Sequence, residues 1–203
     1  MEHAPLTRIS HEEYKRFDRA AEVRHEYFDG VVRPLPSSTL RRAQIKARLY
    51  LPFGAVVGQS HCILFNSDAR VRVRELDYTT YPDFSVVCGP IEASVDDADA
   101  LTNPALLVEV LSDSTEAYVR GEKFRRYRAL ESLRHYVLVS TQRSLIEHYA
   151  RQDDGAWVLR TYGPGEHFTL DHPPISVSVD ELYADLPDYV PPAPDSREAA
   201  SSA

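Results

Sequence analysis

The alternation and clustering of apolar residues along the chain predict a mixed α and β protein. The most apolar stretch is Leu106-Leu107-Val108-Glu109-Val110-Leu111, bounded by Asn103-Pro104 before and Ser112-Asp113-Ser114 after. Such a run reads as a strand buried on both faces. Strand alternation puts Leu107, Glu109 and Leu111 on one face and Leu106, Val108 and Val110 on the other. An ionised carboxylate in that setting costs several kcal/mol unless a cation or good donors meet it. The organising question is what meets Glu109.

Other elements follow from local signals. Ser10 with Glu13 has capping-box spacing and opens a helix from about His11 to Ala20. Asp29-Gly30 between apolar residues predicts a hairpin through Val32. Thr39 caps a second helix, roughly Leu40 to Phe53, with Pro52 and Gly54 near its end. Cys62 to Val73 reads as extended, Asp77 to Thr80 as a turn, Phe84 to Val87 as a strand and Gly89 to Asn103 as an acidic loop. Ser114 or Thr115 caps a long helix through about Glu131, where Phe124, Tyr127 and Leu130 recur at three-residue spacing. Segments at His135–Val139, Leu145–Tyr149 and Trp157–Tyr162 form a meander. A strand at Ile175–Val179 and a helical turn at Asp180–Tyr183 close a single domain spanning 1–186, and the Pro-, Ala- and Ser-rich acidic tail 187–203 is expected to be disordered.

Composition narrows the setting. A chain of 203 residues with 43% hydrophobic and 27% charged residues is an ordinary globular domain. No stretch approaches the ~20 apolar residues of a membrane span, and the first residues lack the apolar core of a secretory signal. Two cysteines, Cys62 and Cys88, without a CxxC, suggest free buried thiols in a reducing cytosol, so a cytoplasmic protein is expected. The net charge of −8 argues against non-specific nucleic-acid binding over the whole surface. The charge is uneven, however. Glu92, Asp96, Asp97 and Asp99 make an acidic patch, while Arg41, Arg42, Lys46 and Arg48 form a basic run, as do Arg70, Arg72 and Arg74. A basic run is most simply a solvated face, and otherwise a phosphate-facing groove.

Candidate chemistry centres on carboxylates. Asp83 sits at the entry of a second apolar strand, and if the two strands are neighbours it converges with Glu109. Two carboxylates in one site repel, so one is protonated or a cation bridges them. Oxygen donors with open water positions suit Mg²⁺ or Mn²⁺ and metal-assisted phosphodiester hydrolysis. Lys123 is one of three lysines beside twenty arginines, and lies four residues before Tyr127 on the following helix. An ammonium there can orient water or stabilise a transition state. Glu26 is a fourth member of the set. Taken singly, Asp83 reads as a strand-start residue, Lys123 as a snorkelling surface lysine and Glu26 as uninformative; only Glu109 has an awkward bland reading. The eight histidines show no metal-ligand spacing, and His135 and His148 read as strand-surface residues or ordinary hydrogen-bonding ones. Ser112 and Ser114 lack a nucleophile elbow.

The motifs Tyr81-Pro82-Asp83-Phe84-Ser85-Val86-Val87, Asn103-Pro104-Ala105-Leu106-Leu107-Val108-Glu109-Val110-Leu111-Ser112 and Gly121-Glu122-Lys123-Phe124 with Tyr127 closely resemble the Uma-type family of restriction endonucleases, within the PD-(D/E)XK nuclease superfamily. Glu26 with Asp29-Gly30, and Tyr136–Val139 followed by Ile146–Tyr149, add to the resemblance, which runs from about Ser10 to Leu186. It implies an α/β (α+β) restriction-endonuclease-like core, a mixed central sheet flanked by helices, extended here by the C-terminal antiparallel meander. It implies Asp83 and Glu109 as metal ligands, with the Val110 carbonyl as a further one. The superfamily lysine normally stands two residues after the acid, which is Leu111 here; in this family it comes from the next helix, at Lys123. Other departures are Val31 for an acid, Ser37-Ser38 and Arg42 for a Gly-rich turn and a histidine, Asp113 for a proline and Val119 for an aspartate. The resulting expectation is a Mg²⁺- or Mn²⁺-dependent endodeoxyribonuclease. Arg41, Arg42, Lys46 and Arg48 are its candidate DNA phosphate contacts, and a symmetric homodimer would suit cleavage of both strands. The rival expectation is a catalytically inactive descendant that binds nucleic acid or protein.

Overall fold

The Asp29-Gly30 turn shows how closely local chemistry is followed. Both residues take positive φ, 45° and 83°, which the turn of a two-residue hairpin requires. A Cβ on Gly30 would lie 2.8 Å from the Arg8 Cβ. This turn joins β1 (His25–Phe28) to β2 (Val31–Pro34). The computed structural model describes residues 8–57, 61–112, 115–171 and 173–186. The acidic tail from 187, the first seven residues and the predicted cap Ser114 with Asp113 lie outside them.

Before the hairpin, α1 (His11–Ala20) carries the full capping box between Ser10 and Glu13. After it, α2 (Leu40–Val57) starts where Thr39 Oγ1 accepts the Arg42 N–H at 3.2 Å. The helix runs past the predicted end at Phe53 and contains Pro52. Ile45, Leu49 and Phe53, spaced by four, are all buried on the core, and that packing outweighs the bond the proline removes.

Two six-stranded sheets follow. The central sheet runs β12 (Trp157–Tyr162), β11 (Ile146–Arg151), β10 (His135–Val139), β9 (Leu106–Val110), β6 (Phe84–Cys88), β3 (Cys62–Asn66). The strand β9 is parallel to β10 and antiparallel to β6, with Phe84 opposite Val108. The predicted meander is β10, β11 and β12. Leu106, Val108 and Val110 face a core shared with α2, the hairpin β13 (His167–Leu170)–β14 (Ile175–Ser178) and α5 (Val179–Tyr183). Leu107 and Leu111 face the opposite core, with Tyr127, Leu130 and Tyr136. The predicted alternation therefore holds, and it puts Glu109 on this second face. No helix among the described residues is long and apolar enough to cross a membrane.

The second sheet was not expected. Its order is β2, β1, β5 (Tyr78–Thr80), β4 (Arg70–Val73), β8 (Asp97–Leu101), β7 (Ala93–Ser94). Three readings change with it. The extended segment Cys62–Val73 divides between the two sheets at an Asx turn, where the Asn66 side chain accepts the Asp68 N–H at 2.9 Å. The turn expected at Asp77–Thr80 lies instead at Arg74–Asp77, and Tyr78 begins a strand. The acidic loop contains β7 and β8 because its charge is neutralised internally. Arg70 binds Asp97 at 3.0 Å, and Arg72 binds Asp77 at 2.7 Å and Asp96 at 3.0 Å. Both arginines are buried, so Arg70 and Arg72 of this basic run pair with Asp96, Asp97 and Asp99 of the acidic patch.

A further correction concerns the cysteines. Cys62 and Cys88 occupy directly paired positions on antiparallel β3 and β6, with Cα atoms 4.0 Å apart, and form a disulfide. The register that brings them together is a tertiary fact invisible in their spacing. The expectation of free thiols fails, and with it that support for a reducing compartment. Reducing the bond is expected to cost about 3 kcal/mol of stability through the entropy of the opened loop. Denaturant midpoints with and without reductant check this, and identical midpoints would contradict it.

Of the two expected readings of His148 on β11, the strand-surface one fails, since the ring is buried, and the hydrogen-bonding one holds. Its ring meets Phe168 edge-on at 5.2 Å, and its Nε2 lies 3.0 Å from His135 Nδ1. Burial, then the nearby His135 and Arg160 charges, hold its pKa at about 4. The unfolded chain takes up a proton that the folded chain refuses, so stability should fall as pH drops from 6.5 towards 4, by about 2 kcal/mol. In a His148→Leu variant this slope should flatten; an unchanged slope in urea titrations would rule the residue out as its source.

Candidate active site

Register explains the convergence of the two acids. Because β6 and β9 are antiparallel neighbours, Asp83, just ahead of β6, falls beside the end of β9, and its Oδ2 accepts the Val110 N–H at 2.7 Å. Glu109 lies one residue away on the same strand. Both carboxylates are buried.

Cations meet each of them. From the first turns of α2, Arg42 Nη2 donates to both Asp83 oxygens, at 3.1 and 2.9 Å, and its Nε donates to the Val110 carbonyl at 2.9 Å. Lys46, one turn further along, places Nζ 3.0 Å from Asp83 Oδ1. On the other side of the sheet, Lys123 Nζ sits 2.6 Å from Glu109 Oε1, and the Tyr127 hydroxyl donates to the same oxygen at 3.0 Å. Lys123 is only 4% exposed, so it is no surface lysine.

The helical segment that delivers Lys123 departs from the expected single helix. It consists of α3 (Glu116–Tyr118), a π-turn over Val119–Lys123 and α4 (Phe124–Tyr127). Its expected extension to Glu131 stops at Tyr127. The Thr115 side chain makes no capping bond to the helix. A π-turn inserts an extra residue per turn and re-aims the side chains that follow. Here Val119, Lys123 and Tyr127 are all buried, the last two on Glu109.

Glu26 completes the set from β1. It is buried, accepting the Tyr118 hydroxyl at 2.7 Å and the Tyr78 hydroxyl at 3.2 Å. Glu26, Asp83, Glu109 and Lys123 all line one open cavity of ≈ 580 Å³, together with Arg42 and Lys46. Arg24, Arg33, Tyr81 and Tyr118 line it too. Tyr81 stands in the motif that carries Asp83, two residues before it, whereas Arg24, Arg33 and Tyr118 have no spacing that links them to the acids.

The remaining basic candidates are placed elsewhere. Arg41 Nε donates to the Thr141 carbonyl at 2.6 Å. Arg48 reaches the Leu182 carbonyl at 3.1 Å and that of Ala184, at the end of α5, where a cation complements the helix dipole. Neither residue lines the cavity.

The electrostatics separate the two acids. Burial alone would raise the Asp83 pKa, but the Arg42 and Lys46 charges and the Val110 N–H outweigh it, so the carboxyl is held below its usual range. Glu109 goes the other way: burial raises its pKa, the Asp83 charge adds to that, and Lys123 opposes without reversing it. Two carboxyl groups whose environments push them apart divide into an anionic site and a proton-exchanging one.

No group of three or more His, Cys, Asp or Glu side chains that could hold a metal is found among the described residues. Asp83 and Glu109, which line one cavity, and the Val110 carbonyl, which Arg42 joins to Asp83, are hard oxygen ligands of the kind Mg²⁺ or Mn²⁺ takes when it retains several waters. The set fits such an ion in chemistry. Two of the three donors also carry the Arg42 guanidinium.

The fold, a mixed sheet flanked by helices, is one that a solved structure shares. The architecture matches the crystal structure of a protein from Anabaena variabilis described as "a putative nuclease belonging to DUF820", with a TM-score of 0.67 at 17% identity, over 84% of this chain and 96% of that one. The sequence matches the Uma2 family model, described as "putative restriction endonuclease", over residues 11–180, and the chain belongs to that family. Two Synechocystis proteins are similar along much of their length. With slr1290 the identity is 35% over 183 residues, covering 90% of this chain and 95% of the relative. With sll1609 it is 27% over 147 residues, covering 72% and 83%.

Proposed function

We propose that this protein is a Mg²⁺- or Mn²⁺-dependent endonuclease that hydrolyses DNA phosphodiester bonds, with Asp83, Glu109 and Lys123 at its centre and Glu26 beside them. The observation that carries this reading is the convergence of these four residues, from four separate segments, on one cavity. Membership of the family supports a nuclease-like activity.

Asp83, Glu109 and the Val110 carbonyl would hold the ion, which supplies Lewis-acid polarisation and a water of lowered pKa when bound. The chain's own groups do the rest. Asp83 stays anionic under Arg42 and Lys46. Glu109, whose pKa burial raises, must give up its proton to ligate the ion, with Lys123 beside it to balance the charge. Lys123 offers positive charge, fixed in a dry setting, to the oxygens that become more negative as phosphorus is attacked. Glu26 holds the Tyr118 and Tyr78 hydroxyls at the cavity wall. Of the four basic residues expected as phosphate contacts, Arg42 and Lys46 line the cavity, with Arg24 and Arg33, and that lining supports a phosphate-facing role for them. A homodimer would supply a second cavity for the opposite strand.

The test is a nicking assay on supercoiled plasmid at low salt, with Mg²⁺, with Mn²⁺ and with EDTA. Nicking that requires either metal supports the proposal; none with either ion, from folded protein, would overturn it. A second reading, a nuclease-fold module that binds nucleic acid without cutting, is favoured by one observation: the guanidinium of Arg42 already sits on Asp83 and Val110. It predicts plasmid binding without nicking.

A further inference from the structure

The contacts of Arg42 exceed what neutralising Asp83 requires. That carboxylate already has Lys46 Nζ at 3.0 Å and the Val110 N–H at 2.7 Å. Arg42 adds two hydrogen bonds to the same carboxylate and a third, through Nε, to the Val110 carbonyl. The last is a main-chain oxygen with no net charge to balance. One planar cation therefore spans a carboxylate and the carbonyl following Glu109, gathering the oxygens that a hard divalent ion would use. A guanidinium can do this because its N–H groups diverge in a fixed fork; an ammonium presents a single point of charge.

We propose that Arg42 is an internal cation at the divalent-ion position, and that it sets the metal affinity of this site by competing for Asp83 and the Val110 carbonyl. This rests on the metal-dependent reading above. Two like charges cannot share these oxygens cheaply, so an ion enters only as Arg42 leaves. Arg42 lines the same cavity that would receive the substrate, and a phosphate there gives the displaced guanidinium a bidentate partner. By linkage, DNA and the ion each tighten the other's binding through this one side chain.

The experiment is a calorimetric titration of Mn²⁺ into the wild-type protein and into Arg42→Ala, Arg42→Gln and the double variant Arg42→Ala/Asp83→Asn, with circular dichroism confirming that each is folded. Lys46 and the Val110 N–H still satisfy Asp83 in the single variants. The expected result is Mn²⁺ affinity higher by about tenfold or more in both single variants, equivalent to about 1.4 kcal/mol, and loss of the signal in the double variant. Equal Mn²⁺ affinity in wild type and single variants would overturn the role of Arg42 and leave the metal-dependent reading standing. No Mn²⁺ binding even without Arg42 would overturn both.

Discussion

Replacing Glu109 with Gln is expected to lower plasmid nicking by about 10³-fold, the scale of losing one preorganised electrostatic group, while the fold remains. The reason for the separation lies in one atom. Lys123 and the Tyr127 hydroxyl both meet Oε1 of Glu109, and a glutamine that presents its carbonyl oxygen there keeps both contacts. It loses the charge and the ability to exchange a proton. Circular dichroism and a denaturant midpoint on the same preparation separate the two effects. A variant that still nicks at the wild-type rate would remove Glu109 from the reaction, whatever its geometry.

Replacing Lys123 with Met should instead be felt in stability, by about 3–5 kcal/mol, because it leaves a buried carboxylate without its cation. The loss should depend on pH. Glu109 already has a raised pKa in the folded state, and removing Lys123 raises it further. A carboxyl that holds its proton more tightly when folded makes the folded state less stable as pH rises above the unfolded value, so the deficit should be larger at pH 8 than at pH 4.5. The double variant Glu109→Gln/Lys123→Met, with no buried charge in the pair, should recover part of it, giving a coupling energy of about 2 kcal/mol. Equal losses at both pH values, with simple additivity in the double variant, would mean that Lys123 contributes packing alone.

The sequence makes some of this plain and conceals the rest for physical reasons. Glu109 stood out because a carboxylate amid five apolar residues violates the ordinary burial pattern, and alternation correctly assigned its face. The capping box at Ser10 and the Asp29-Gly30 turn were legible because their chemistry is local. The second sheet was not, since Arg70 and Arg72 alternate with valines like an edge strand facing water, and only their partners Asp97, Asp77 and Asp96 make them buried. The disulfide depends on a cross-strand register that spacing does not encode. The π-turn has no sequence mark beyond Gly121 in mid-helix. Arg42 was legible as basic and as a departure from the family's pattern. Its grip on Asp83 and the Val110 carbonyl needed the helix and both strands in place.

The connection from β9 to β10 starts just after Glu109, carries Lys123 midway, and joins parallel neighbours. Antiparallel hairpins such as β10–β11 close over a few residues and can form early, whereas parallel pairing waits for a long loop to close. The four residues of the proposed centre, from Glu26 to Lys123, all emerge before the β10–β11 hairpin during synthesis, but the parallel partner of β9 arrives only with β10. On the proposed function, a copy cut short before β10 would hold every acid of the centre yet lack the strand that β9 pairs with, and so the sheet that orients Glu109.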